Sequence, residues 1–260
     1  MADDALLSTD ARGVATLLLN RPDKHNVLSG EMCEQLTALA AQINSDPAIR
    51  VVVLTGTGRS FCAGGDLAWM QAQVSADRAT RMAEARKIAT MLGALNTLSK
   101  PLIGRVNGSA MGGGIGMMSV CDIAIAANTG KFGLTETRLG LIPATISPYV
   151  IARMGEARAR RVFMSARVFE AAELVDLGLA ARVVAPQDLD TAIEAEIAPY
   201  LVAAPGAVAA AKRLVRRLGP RIDDTLIDET IEMLADTWET DEAAQGIAAF
   251  LEKRPAPWSR

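Results

Sequence analysis

Along the chain, short runs of β-branched and leucine residues alternate with longer segments whose apolar positions recur every three or four residues. The run 14–19 is closed by Asn20-Arg21-Pro22-Asp23, which predicts a strand entering a charged loop. Ser29 stands where it can cap a helix, and Met32, Leu36, Leu39, Ala40 and Ile43 then make one buried face. The runs 50–55 and 101–106, bounded by Gly56-Thr57-Gly58 and Asn107-Gly108, predict two buried strands. Between them a long helix turns Ala85, Ile88, Ala89, Leu92 and Leu95 inward. The segment 122–127 predicts a further strand after a glycine-rich turn and a short helix.

This alternation predicts an α/β architecture up to about Asp190. Beyond that point helical patterns run through 207–218, 222–238 and 241–253. The last carries a stripe of Ala244, Ile247, Ala248 and Leu251, open to the parent core or to a neighbouring subunit. We therefore expect a core over 1–190 and a C-terminal helical module over 191–260, with Pro205-Gly206 as a hinge-like break.

With 260 residues, 50% hydrophobic and 22% charged, the chain can bury one sizeable core. A net charge of -3 argues against a broad basic surface, so neither nucleic acid nor an anionic membrane is an expected partner. The segment 1–10 carries Asp3, Asp4 and Asp10 and no basic start, so export is not expected. Gly108 to Ala127 is apolar but glycine-rich and interrupted by Asp122, which reads as buried core. Cys33, Cys62 and Cys121 show no paired spacing, and His25 is the single histidine. Reduced thiols in the cytoplasm are expected, and no metal site.

Chemistry is concentrated in segments that follow predicted strands: Ser60-Phe61-Cys62-Ala63-Gly64-Gly65-Asp66, the stretch 107–116, and Phe132-Gly133-Leu134-Thr135-Glu136. Gly112-Gly113-Gly114 opens an apolar helical run, so an amide near Gly113 is free to face a ligand at a helix N-terminus. Gly64-Gly65 offers a second bare backbone before Asp66 opens another helix, and two such donors make an oxyanion hole. A glycine triplet is equally a device for close helix–sheet contact. The dinucleotide fingerprint fails at Met117, no phosphate-loop lysine follows Gly58, and no serine sits in a nucleophile elbow.

Taken together, these segments resemble the crotonase, or enoyl-CoA hydratase and isomerase, superfamily over nearly the whole chain. The matching elements are Leu19-Asn20-Arg21-Pro22 with Asn26, Phe61 to Leu67, Asn107-Gly108 through Gly114, Cys121-Asp122-Ile123, Phe132-Gly133 and Gly140-Leu141-Ile142-Pro143. The resemblance implies a spiral of repeated ββα units whose C-terminal helices make a homotrimer, often paired into a hexamer. It implies an acyl-CoA substrate with no permanently bound cofactor, coenzyme A being part of the substrate. It assigns the oxyanion amides to Gly65 and Gly113 and the catalytic carboxylate to Glu136. Ala63 would meet adenine through its backbone, Lys24, His25, Asp66 and Leu67 would line the coenzyme groove, and Phe250 and Lys253 would close over it from a neighbouring subunit.

One position departs from the hydratase pattern: the family's first catalytic glutamate corresponds to Gly116. The isomerases work with one carboxylate. Bacterial methylglutaconyl-CoA and isohexenylglutaconyl-CoA hydratases also resemble this chain, through Gly112 to Gly116, Leu134-Thr135-Glu136, Asp66 to Met70 and the stretch 139–150. The expected activity is thus hydration of an unsaturated acyl-CoA, with isomerisation or a silent coenzyme-binding scaffold as alternatives. In this reading the substrate's own second carboxylate fills the space vacated at Gly116, with Arg138 as a possible attractor. The cluster Lys212, Arg213, Arg216 and Arg217 is expected to be a solvated face.

Overall fold

The computed structural model describes residues 3–259. Runs that are apolar on both faces become the inner strands of a six-stranded sheet ordered β1-β2-β3-β5-β7-β10. Its members are β1 (Ala5–Thr9), β2 (Val14–Leu19), β3 (Val51–Gly56), β5 (Leu102–Val106), β7 (Ile123–Ala127) and β10 (Arg182–Val184). Only β1 and β2 pair antiparallel; the rest are parallel. A second sheet of four short strands runs β4 (Ser60–Cys62), β6 (Ser109–Met111), β8 (Lys131–Gly133) and β9 (Val168–Glu170), the first three mutually parallel.

The chain alternates between the sheets. Strands β3, β5 and β7 each lie in the large one, and the strand that follows each, β4, β6 or β8, lies in the small one. Helices then carry the chain back, which makes the expected ββα spiral. They are α1 (Gly30–Ser45), α2 (Leu67–Ser75), α3 (Arg78–Asn96), α4 (Gly113–Val120), α5 (Ser147–Met154) and α6 (Glu156–Phe163), with α7 (Leu189–Val202), α8 (Pro205–Leu218), α9 (Asp224–Trp238) and α10 (Asp241–Leu251) at the C-terminal end. Among the described residues no single helix is long and apolar enough to cross a membrane.

Ser29 does cap α1, its Oγ accepting the Met32 amide at 3.2 Å. The single helix expected between β3 and β5 is two, because Asp66 and Asp77 each cap a start, α2 and α3 respectively. Pro205-Gly206 is the first turn of α8. Beyond the expected division at 190, Leu189, Ala192, Ile193 and Ile197 of α7 pack on Val51, Val53, Ile103 and Ile125, and Ile227 and Ile231 of α9 join the main core.

The charged face of α8 is not uniformly solvated, since Lys212 is 10% exposed and donates to Asp122 Oδ2 at 2.6 Å and to the Lys100 carbonyl at 3.0 Å. Burial pushes its ammonium below the usual lysine range, and Asp122 opposes that shift. The same carboxylate oxygen receives the Leu102 amide, tying α8 to the start of β5. Asp122→Ala, which strands the buried ammonium, is expected to lower the free energy of unfolding by about 3 kcal/mol in urea titrations, and Asp122→Asn by less.

Candidate active site

Strands β4, β6 and β8 are parallel neighbours, so their C-terminal ends lie side by side. Each end leads directly into one of the chemistry-bearing segments. Met111 pairs with Gly133, and the Gly112 amide donates to the Gly133 carbonyl at 2.9 Å, which locks the second segment to the third. Side chains from three turns of the spiral therefore meet without any of them being near in sequence.

Two backbone amides face the space between the loops. Leu28 bridges Gly65 in parallel fashion: the Leu28 amide donates to the Gly64 carbonyl at 2.7 Å and the Asp66 amide to the Leu28 carbonyl at 2.9 Å. In that pattern the N–H of the central residue projects away from its partner strand. Gly65 is exposed between buried Gly64 and Asp66, and its amide has no acceptor among the described residues. Gly113 is the first residue of α4, where helical amides have no internal acceptor, and it alone of its triplet retains exposure. The two loops touch, since a Cβ built on Gly113 would lie 4.0 Å from Gly64 Cα.

Glu136 begins a 3-10 turn, Glu136–Leu139, immediately after β8. Its carboxyl lies against the glycine turn: a Cβ on Gly112 would stand 2.8 Å from Glu136 Oε1. Gly112 has φ of +46°, which only glycine holds without strain, so the close approach and the turn share one residue requirement. Glu136 Oε2 is shielded from solvent and has no hydrogen-bond partner among the described residues. Burial raises the carboxyl to about 7, against a weak opposing bond from its own amide.

Beside this centre runs a groove. Asn26, fully buried, receives the Arg21 amide at 2.8 Å and donates to the Thr57 and Ser60 carbonyls, both at 2.9 Å. It thereby holds the loop 20–28 against the β3–β4 turn. Lys24 is left exposed, and the Ala63 amide donates to the His25 carbonyl at 3.0 Å. Arg59 can only donate to His25 Nε2, at 3.1 Å, so Nδ1 carries the hydrogen given to Ser60 Oγ at 3.0 Å. Ala63 and Leu67 keep exposure along this edge.

Asp66 behaves differently from the expectation. It is 6% exposed, caps α2 through the Ala68 and Trp69 amides and receives Arg21 Nη2 at 2.8 Å. Burial opposes its ionisation, yet these bonds hold it below the usual carboxylate range. Its carboxylate shapes the loop; it presents no free acceptor to the groove. Phe250 and Lys253, at the far end of α10, are exposed and not gathered with the other site residues. Helix α10 instead seats on the Glu136 turn: Gly246 and Gly140 mark the crossing, where a Cβ on Gly246 would lie 2.6 Å from the Leu139 carbonyl.

No space is vacated at Gly116. A Cβ there would meet Ile146 Cγ2 at 2.7 Å, with Leu92 Cδ1 behind it at 3.5 Å. The expected docking of a substrate carboxylate at that point is excluded by these apolar side chains, and Arg138 is exposed. Periodicity could not reveal Ile146, which sits in a 3-10 turn, nor that the Trp69 ring approaches within 3.9 Å of a Cβ built on Gly65.

A spiral of this topology defines a crotonase-type fold. Residues 9–260 match the family model described as enoyl-CoA hydratase/isomerase, and the chain belongs to that family. It is 31% identical to a crotonyl-CoA hydratase of Syntrophomonas wolfei, with 98% of each chain covered. Among solved structures it is similar to an enoyl-CoA hydratase from Mycobacterium avium, at 31% identity and TM-score 0.86 over 100% of both chains. Pseudomonas aeruginosa AtuE matches at 34% identity and TM-score 0.80, covering 99% of this chain and 100% of that one.

The unpaired carboxyl carries a stability consequence. A group bound more tightly by protons in the folded state destabilises the fold as pH rises through its unfolded value, near 4.5, and the loss levels off above about 7. Glu136→Gln is therefore expected to leave the melting temperature unchanged at pH 4 and to raise it at pH 8, read by thermal scans across that range.

Proposed function

We propose that this protein adds water to an α,β-unsaturated acyl-CoA thioester, with Gly65 and Gly113 as oxyanion donors and Glu136 as the proton-transfer group. The observation that carries the reading is the Glu136 carboxyl buried without a partner against the Gly112–Gly113 turn. As hydroxide adds to the β-carbon, the electron pair of the double bond moves through the α-carbon toward the thioester oxygen. Each amide aimed at that oxygen is worth about 2.7–4 kcal/mol. The N-terminal end of α4 adds its dipole.

Glu136, ionised, takes one proton of the attacking water and returns it to the α-carbon as the enolate collapses. Water is thereby added across the double bond and the carboxylate regenerated. A value of about 7 makes it a competent acceptor that still releases its proton readily. Lys24, His25, Ala63 and Leu67 form the groove for the nucleotide end, with Asp66 holding its loop, and coenzyme A enters and leaves as part of the substrate. The apolar surface at Gly116, Ile146 and Leu92 supplies no second acid, which also favours a double-bond shift by one carboxylate as the alternative chemistry.

For the acyl group we favour a 3-methylglutaconyl-like chain of branched-chain or isoprenoid acid breakdown, on the resemblance of the segments 66–70, 112–116, 134–136 and 139–150. Turnover of 3-methylglutaconyl-CoA beside crotonyl-CoA, followed by loss of the conjugated-thioester absorbance with product analysis, separates hydration from isomerisation. Glu136→Gln is expected to lower kcat by about 10²–10⁴ while a saturated thioester binds as before. In the unaltered protein kcat/KM is expected to rise with pH to a plateau above about 7, because the base must be ionised. A pH-independent rate, or full activity in Glu136→Gln, would overturn the assignment.

Self-association into a trimer or hexamer is the second part of the proposal, in the cytoplasm, where the three buried thiols remain free. Apart from Lys212, helix α8 is held little by the rest of the chain and exposes Leu214, Val215 and Leu218, an apolar face with no cover in its own chain. Phe250 and Lys253 are free to reach a neighbouring subunit's groove. Leu214→Asp combined with Leu218→Asp is expected to convert the assembly to monomers in sedimentation equilibrium.

A further inference from the structure

Helix α2 starts two residues after Gly65, with Asp66 as its cap, so its first turn stands directly at the paired amides. Of its nine residues Gln73 alone is buried, at 4% exposure. Trp69, Met70 and Gln73 form its inner face, the remaining positions being exposed. The Trp69 ring lies beside Gly65 and is pinned there by its Nε1 donating to Glu84 Oε2 at 3.0 Å, with Lys87 holding Glu84 at 2.9 Å. Gln73 follows one helical turn later, about 6 Å along the axis.

A carboxamide so enclosed ordinarily finds partners within the protein. Gln73 Oε1 has none. Arg81 is engaged with the backbone of this segment, its Nε donating to the Gln73 carbonyl at 2.9 Å and its Nη2 to the Val74 carbonyl at 3.2 Å. Among the described residues three side-chain polar atoms are buried without partners: Arg50 Nε, Gln73 Oε1 and Glu136 Oε2. Arg50 stands at the other end of β3, just before Val51, where its Nη2 donates to the Ala203 carbonyl at 2.7 Å. Of the other two, Glu136 lies beside Gly112, and Gln73, one helical turn further on, shares the inner face of α2 with Trp69, whose ring reaches Gly65.

We propose that Gln73 is the specificity-determining residue of the acyl site, hydrogen-bonding an oxygen on the acyl chain beyond the reacting carbons. This rests on the acyl-CoA reading above and adds the class of chain: one ending in a hydroxyl or a carboxylate. As oriented, Oε1 accepts from a hydroxyl; a half-turn of the amide presents Nε2 as donor to a carboxylate. The apolar remainder of the chain then lies against Trp69 and Met70.

The test uses saturated thioesters of equal length, so that binding is read without chemistry: valeryl-CoA, 5-hydroxyvaleryl-CoA and glutaryl-CoA, titrated calorimetrically into the unaltered protein, Gln73→Leu and Gln73→Met. Both variants are expected to weaken 5-hydroxyvaleryl-CoA or glutaryl-CoA by about tenfold and to change valeryl-CoA by less than about threefold. Whichever ligand responds identifies the end of the amide in use. Both variants are expected to melt no lower than the parent, because an unpaired buried amide is removed. Equal loss for all three ligands, no loss for any, or a lowered melting temperature with uniformly weakened binding would overturn the proposal. Failure of the unaltered protein to bind even valeryl-CoA would count against the acyl-CoA site itself, whereas binding without the Gln73-dependent difference counts against Gln73 alone.

Discussion

The parallel pairing of three short strands governs this molecule. β4, β6 and β8 have only three residues each, far too few to be stable alone, yet their adjacency aligns the Gly65, Gly113 and Glu136 segments. Their support comes from the large sheet, whose strands β3, β5 and β7 deliver the chain to each small strand in turn. The hydrogen bond from Gly112 to Gly133 and the bridge from Leu28 to Gly65 then fix the loops where the small sheet ends. The amides cost no side-chain ordering, because the backbone that presents them is already held by its neighbours.

The same arrangement concentrates instability where reaction is to occur. Elsewhere several buried polar groups are matched, as in Asn26 with its acceptors or Lys212 with Asp122. On the Glu136 turn and on α2 one carboxyl oxygen and one carboxamide oxygen are enclosed without partners. An enclosed group lacking a protein partner is destabilising by about 1–3 kcal/mol, so its persistence is a statement about what enters the site. The three thiols form a contrast: burial pushes Cys33, Cys62 and Cys121 up to about 12, and they serve as small apolar packing.

Much of this was legible in the residues. Apolar runs located β2, β3, β5 and β7, and the glycine clusters with Asp66 and Glu136 located the loops. The small sheet was not legible by periodicity, since three-residue strands carry too little alternation to be distinguished from loop. Strand β1 was not predicted: its run is short, its neighbours Asp3, Asp4 and Asp10 are charged, and its outer face is solvated. Asp66 was recognised by its motif, but a motif cannot say whether a carboxylate faces ligand or is consumed by Arg21 and its own helix. Gly116 was read as the place of an absent acid. That Ile146 occupies the room depends on a contact across thirty positions of chain, which no local pattern encodes.

The seating of α10 on the Glu136 turn has a practical corollary. Gly140 and Gly246 let two backbones touch at that crossing, so the final helix and the acidic turn form one mechanical piece. Anything attached to the carboxyl end, whether a purification tag, a fusion partner or a surface linker, pulls on a lever whose other arm holds the Glu136 side chain. Handles for immobilisation or labelling belong at the opposite end of the chain, on the β1 edge, where the six-stranded sheet absorbs the load.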